Sequence, residues 1–202
     1  MKILDTGKTP EVLDLQGHFL IAMPGMTDSR FDRSVIYICT HTDVGAMGLI
    51  ANKLLSDISF DEIVRQLIDD KLSKEEQKPK LDKEVPIYLG GPVEQGRGFV
   101  LHSSEYMLEN SLKVDKGINL TASIEILEDI ASNSGPESLL LSLGYAGWGA
   151  GQLEAEMAQN AWLSCKATPE ILFEPNPELK YDRALALMGV DAALLSSEAG
   201  HA

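Results

Sequence analysis

Residues 143–163, LGYAGWGAGQLEAEMAQNAWL, constrain the fold of this chain more than any other stretch. Ser138–Leu143 is a short apolar run, long enough for one buried strand. Gly144, Gly147, Gly149 and Gly151 then put four glycines into eight residues. Glycine reaches backbone conformations closed to other residues and lets a second backbone or a ligand come close. After Gly151 the residues favour helix, from Gln152 to Gln159. The stretch therefore predicts a strand that stops at Leu143, a glycine loop and a helix start. On that helix Gln152, Glu156 and Asn160 share one polar stripe, with Leu153 and Met157 beside it. A helix N-terminus behind glycines can hold an anion. Here Glu154 and Glu156 oppose that, and no complete phosphate fingerprint is present. The favoured reading is a close-packed corner that seats Trp148 and Trp162.

Upstream, residues 1–17 read as an extended lead-in. Phe19–Met23 is a buried strand, and Ser34–Thr40 a central one with apolar groups on both faces. Leu49–Asn52 is a plausible third strand after Gly45–Gly48. Ser59 with Glu62 forms a capping box for a first helix buried through Phe60, Ile63, Val64, Leu67 and Ile68. The charged segment 70–84 reads as a helix tail and exposed loop. Pro86–Leu89 and Arg97–His102 are short strands joined by a linker too long for a two-residue hairpin. Residues 112–120 form a hairpin around Gly117. A second helix, near Ser123–Ser132, is expected to bury Ile124, Leu127 and Ile130 or Ala131.

Past Leu163, Glu170–Phe173 reads as a strand. A last helix starts at Asn176-Pro177 and stops at Gly189, with Leu179, Ala186, Leu187 and Met188 expected inside. Strands grouped between helices, without strict alternation, predict one α+β domain over residues 1–202. Its sheet is mixed or mostly antiparallel, with helices packed on it.

A net charge of −14 repels phosphate backbones and anionic membranes. The densest lysine region, Asp69–Glu84, interleaves five lysines with six acids. Direct nucleic-acid binding and membrane association are therefore disfavoured. Two distant cysteines make no disulfide framework, and neither a signal peptide nor a membrane span is read. The expected setting is the cytoplasm.

Several phrases together resemble the YqgE/AlgH family. They are FLIAMPGM through SVIYICTHTDVGAMGLIAN (Phe19–Asn52), YLGGPV to RGFVLHS (Tyr88–Ser103), LGYAGWGAGQLEAEMAQNAWL, and the terminal GHA. The likeness covers nearly the whole chain. It implies a single α+β domain with a curved, barrel-like sheet. Some members are labelled transcriptional regulators, and no catalytic set carries over. Lys53-Leu54 departs from the family, which usually has proline after the asparagine.

No catalytic motif stands out. Cys39 and His41 would share one strand face, where a buried structural cysteine is a commoner outcome than a nucleophile pair. Cys39, His41, His102 and Cys165 lack zinc-ligand spacing, so no metal and no cofactor are assigned. A pocket is the better hypothesis, built from Asn52, Gly90, Gly91, Arg97, Trp148, Gln152, Glu156 and Asn160. Arg97 could meet a carboxylate bidentately, although an ion pair with Glu94, Glu154 or Glu156 is the favoured reading. The function expected is non-catalytic binding of a small molecule or a protein partner, with any effect on transcription indirect. The alternative is an enzyme acting on a small anionic substrate through Arg97, His41 and Glu156.

Overall fold

The computed structural model describes residues 14–68, 84–192 and 195. Eight strands follow one another in space as β6-β7-β5-β8-β3-β2-β1-β9, every neighbouring pair antiparallel. In chain order they begin with β1 (His18–Ala22), β2 (Val35–Thr42) and β3 (Gly45–Ile50). After β4 (Ile87–Leu89) come β5 (Val93–Ser103), β6 (Leu112–Asp115), β7 (Ile118–Thr121), β8 (Leu139–Gly149) and β9 (Trp162–Lys166). β4 adds to β8 in parallel. The sheet curls into a half-barrel, as expected. Its two ends approach each other at a seam, where Lys166 of β9 pairs with Asp115 of β6 at 2.8 Å. Beside it the Gln16 amide donates to the Val114 carbonyl at 2.8 Å.

β8 organises the sheet, and it does not stop at Leu143. It runs through the glycines to Gly149. Its first half pairs with β5 and β4, and its second half with β3. Gly144, at φ +72°, is where the partners change. A Cβ there would lie 2.6 Å from the Gly91 carbonyl oxygen. Gly144 is thus a point where another connection lies directly against β8, and Gly147 and Gly149 continue the strand rather than form a loop.

Five helices cover the sheet. α4 (Pro169–Leu172) and α5 (Pro177–Ala186) close one face, over a cluster that includes Phe19, Tyr37, Leu49, Leu101 and Leu140. α3 (Gln152–Ala158) packs on the opposite face against Ile36, Ile38, Ala146 and Trp162. On that same face α1 (Phe60–Ile68) and α2 (Ile124–Ala131) cover Ile87, Val100 and Leu141.

Local signals explain most starts. The Ser59 N–H donates to the Glu62 carboxylate at 2.8 Å, completing the capping box. The Asn176 side chain accepts from the Glu178 N–H, with Pro177 at the first helical position. Phe60, Ile63 and Val64 are buried as expected. The side chains of Leu67 and Ile68, residues 1–13 of the lead-in and residues 70–83 of the charged loop lie outside the described set.

Three further expectations are corrected. Residues 170–173 belong to helix α4 and its end, because Pro169 at a helix start sets a turn that the apolar run concealed. α5 buries Lys180, Tyr181, Ala184 and Leu185, while Leu179, Ala186, Leu187 and Met188 face out. α2 buries Ile126 where Ile124 was expected. Strand β9 was not anticipated.

Among the described residues, no helix is long and apolar enough to cross a membrane.

Candidate ligand-binding cleft

The polar stripe on α3 is occupied by its own protein. The Trp148 and Trp162 indole N–H groups both donate to one oxygen of Glu156, at 2.9 and 2.8 Å. The two rings stand edge to face, 6.0 Å apart. The Gln152 amide donates to the second Glu156 oxygen at 2.9 Å, and its own carbonyl accepts from the Gly149 N–H at 3.1 Å. Asn160 leaves the stripe: α3 ends at Ala158, and Asn160 sits in the left-handed turn beyond it at φ +57°. Asparagine tolerates that conformation better than most residues. Trp148, Gln152 and Glu156 thus form a closed structural corner.

The other expected pocket residues lie elsewhere. Asn52 accepts from the Val35 N–H and donates to the Arg33 carbonyl, each at 2.9 Å, so it stitches β2 to the exit of β3. Gly90 accepts at its carbonyl from Ile50 and donates to the Leu143 carbonyl, both at 2.8 Å. A Cβ on Gly90 or Gly91 would collide with the backbone of Gly144 or Tyr145. That crossing leaves no room for a ligand. Arg97 donates to Glu94 at 3.2 Å, one of the ion pairs anticipated, and its guanidinium lies 5.1 Å from the centre of the Phe99 ring.

The alternative catalytic set does not assemble. A bulge in β2 between Ile38 and Thr40 shifts the register, so that Thr40 faces Met47 and His41 faces Ala46. Cys39 consequently joins the α4–α5 face while His41 turns to the α3 face, and the two do not share a side. Burial pushes the Cys39 thiol well above its ordinary range, which leaves it unreactive. His41 accepts the Leu15 N–H at Nδ1 (3.1 Å), so Nε2 carries the hydrogen that goes to Glu154 at 2.9 Å. Arg97 lies near residues 143–144 of β8, whereas Glu156 is held at Trp148, about 13–16 Å further along that strand. His102 is buried, and burial holds its basicity down; Nε2 meets the Thr121 hydroxyl at 2.9 Å. Among the described residues no group of three His, Cys, Asp or Glu is placed to hold a metal.

Two clefts remain. One, of about 580 Å³, opens between β4, the α2–β8 connection and α4–α5. Tyr88, Ile130 and Phe173 wall it, and Glu84, Glu137 and Glu174 also line it. Lys180 borders it but is only 1 % exposed. Its ammonium donates to the carbonyls of Ala51 (2.9 Å) and Leu172 (2.8 Å) and lies 4.7 Å from the centre of the Tyr88 ring. Burial lowers its pKa to about 8. With these partners in place, Lys180 serves the packing of α5.

The second cleft, about 460 Å³, lies between α1, α2 and the β5–β8 pair. Val100, Leu141 and Leu143 line it from the sheet, and Ile63 and Leu127 from the helices. Gln66, Gln95, Thr121 and Ser123 are its uncharged polar lining residues. Arg97 is the one charged residue among the described residues that line it. Of the eight expected pocket residues, Arg97 alone lines either cleft. Sequence reasoning missed the cleft because its walls are ordinary helix-facing apolar positions. The glycines Gly96 and Gly98 were the available signal, since they keep that part of β5 bare.

The family model described as AlgH-like matches residues 19–193. The chain belongs to the AlgH-like family. A UPF0301 protein of Rhizobium rhizogenes is 50 % identical to this AlgH-like chain over 188 residues, 93 % of each. A UPF0301 protein of Agrobacterium fabrum is 52 % identical over 184 residues, 91 % of each. The solution structure of AlgH from Pseudomonas aeruginosa covers all of both chains with a TM-score of 0.76 and 44 % identity. A crystal structure from Corynebacterium diphtheriae, at 22 % identity, TM-score 0.67 and 87 % of each chain, shares the fold.

Proposed function

We propose that this AlgH-like protein is a non-catalytic binding protein of regulatory type, acting in the cytoplasm, with the cleft between α1, α2 and β5–β8 as its ligand seat. The observation that carries this reading is the make-up of that cleft. At about 460 Å³ it has the size of a small-molecule site, with apolar walls and a few polar groups. The groups that could do chemistry elsewhere are engaged in the fold: Glu156 by two indoles, His41 by Leu15 and Glu154, Cys39 by its burial. Any effect on transcription is indirect on this reading, because a net charge of −14 opposes a phosphate backbone.

A thermal-shift panel of acidic metabolites and nucleotides tests the proposal. Binding to the folded form alone raises Tm in proportion to the logarithm of ligand concentration. At least one compound is expected to do so. A flat panel together with tight, steeply salt-dependent DNA binding would replace this reading with direct DNA regulation.

A further inference from the structure

We infer that His102 is a proton-operated latch: when its ring takes up a proton, the 104–111 connection between β5 and β6 is released from β7 and α2. The latch is a chain of hydrogen bonds whose direction is fixed. His102 is fully buried. Its Nδ1 lies 3.0 Å from the Ser103 carbonyl oxygen, which can only accept, so Nδ1 carries the hydrogen. In the neutral ring Nε2 is then an acceptor, and the Thr121 hydroxyl donates to it at 2.9 Å. Thr121 Oγ1 in turn accepts from the Ser111 hydroxyl at 2.6 Å, and Ser111 Oγ accepts from the Leu108 N–H at 3.0 Å. One arrangement of hydrogens therefore ties β5 and β7 to the connection. Tyr106 closes it over the ring. Its own ring stands edge to face with His102, 5.4 Å between centres, its carbonyl accepts from Asn119 of β7, and its hydroxyl donates to Asp129 of α2.

A proton on Nε2 turns the acceptor into a donor. Thr121 must then receive a hydrogen where it now gives one, and its own hydroxyl is left without an acceptor unless the bond to Ser111 reverses. The charged ring is also denied water. Burial holds the His102 pKa below the ordinary histidine range, against the pull of the Ser103 carbonyl and of Glu105. Glu105 is held by the Ser103 hydroxyl and the Glu137 N–H. Tyr106 faces the ring from the connection, with Glu125 and Asp129 of α2 acting on its hydroxyl. Strand β7 has no ionisable side chain, and neither has the half of β8 beside His102. Once the connection opens, the ring meets water and returns to the ordinary value of 6.5. The open form then binds more protons than the closed one. Its population therefore grows as pH falls below 6.5, by up to about tenfold per pH unit, until the closed form itself titrates.

NMR of the uniformly 15N-labelled protein is the test. Long-range correlations to the ring nitrogens should show His102 at pH 7 as the neutral Nδ1–H tautomer, with a titration midpoint below 6.5. Amide exchange at Leu108 and Ser111, corrected for intrinsic rates, should speed up by roughly tenfold between pH 7 and pH 5. It should also run ahead of exchange at Leu20 and Ile36 in the core strands, which marks the opening as local. His102→Gln, a side chain of similar size that takes no proton, should abolish the pH dependence. An Nε2–H tautomer, a midpoint at or above the ordinary value, or exchange at Leu108 and Ser111 that ignores pH or only matches the core strands would each overturn the latch. So would an acceleration that survives in His102→Gln. If that variant does not fold, the tautomer, the midpoint and the wild-type exchange rates decide.

Discussion

Glu156 collects two indole N–H groups on one oxygen, and that single contact sets how the α3 corner is read. Sequence spacing put Gln152 and Glu156 on one stripe beside the two tryptophans; it could not show that the carboxylate would face the rings rather than a ligand. Trp148 and Trp162 are almost fully buried, so removing their acceptor leaves two donors without partners. Glu156→Ala is expected to lower unfolding stability by roughly 2–4 kcal/mol in urea titrations, and Glu156→Gln, which keeps one acceptor, by about 1 kcal/mol. Equal stability of all three proteins would remove Glu156 from its structural role. Lys180 is the opposite case, a charged side chain that the fold buries. Its folded pKa of about 8 lies below the 10.5 of a free lysine. Between those values the unfolded chain binds more protons, so this group adds stability as pH rises from 8 to 10.5, and the gain is lost as pH falls through 8. Buried Cys39 and Tyr37, with raised pKa values, act the other way at higher pH. The difference between wild type and Lys180→Met cancels them. That difference should move in favour of wild type by up to about 3 kcal/mol between pH 7 and pH 10.5. A pH-independent difference would mean that Lys180 is not desolvated.

Among the elements, periodic segments were legible and crossings were not. β1, β2, the β6–β7 hairpin and the starts of α1 and α5 follow from β-branched runs, a turn glycine, a capping box and an Asn-Pro start. The continuation of β8 through Gly144, Gly147 and Gly149 was hidden, because glycine reads as a loop signal unless the partner backbone is known. The β2 bulge was hidden for a related reason: one extra residue reverses every later side chain, and nothing in the composition of the strand marks it. α5 was placed on the wrong face because Lys180 lies on the buried side. Gly91 and Gly96 separate the two uses of glycine. A Cβ at Gly91 would run into the Tyr145 backbone, whereas one at Gly96 would meet nothing within 4 Å. Gly91→Ala should cost about 3 kcal/mol or more and reduce soluble yield, while Gly96→Ala should stay within about 1 kcal/mol of wild type. Comparable Tm values for both variants would rule out the close crossing at β8.

At the scale of the whole molecule, the α+β class, the single curled sheet and the family were readable from long phrases spread over nearly the whole chain. The ligand seat was only partly readable. Arg97 was singled out and does line a cleft, but its neighbours there come from α1, α2 and the middle of β8, brought together by the sheet order rather than by sequence proximity. Asn52, Gly90 and Gly91 stand where strands and connections meet, Trp148, Gln152 and Glu156 form the indole corner, and Asn160 lies in the turn after α3. Gly98 separates the cleft from those structural uses. A Cβ built there approaches only the Leu143 side chain, at 4.0 Å, an ordinary contact inside the cleft. Gly98→Val would therefore fill the seat while suiting a strand. The decisive measurement is the thermal-shift panel run on wild type and Gly98→Val side by side. Every compound that raises the Tm of wild type is expected to lose its effect on Gly98→Val, whose own Tm should be equal or higher. Equal ligand-induced shifts in a folded Gly98→Val would contradict it.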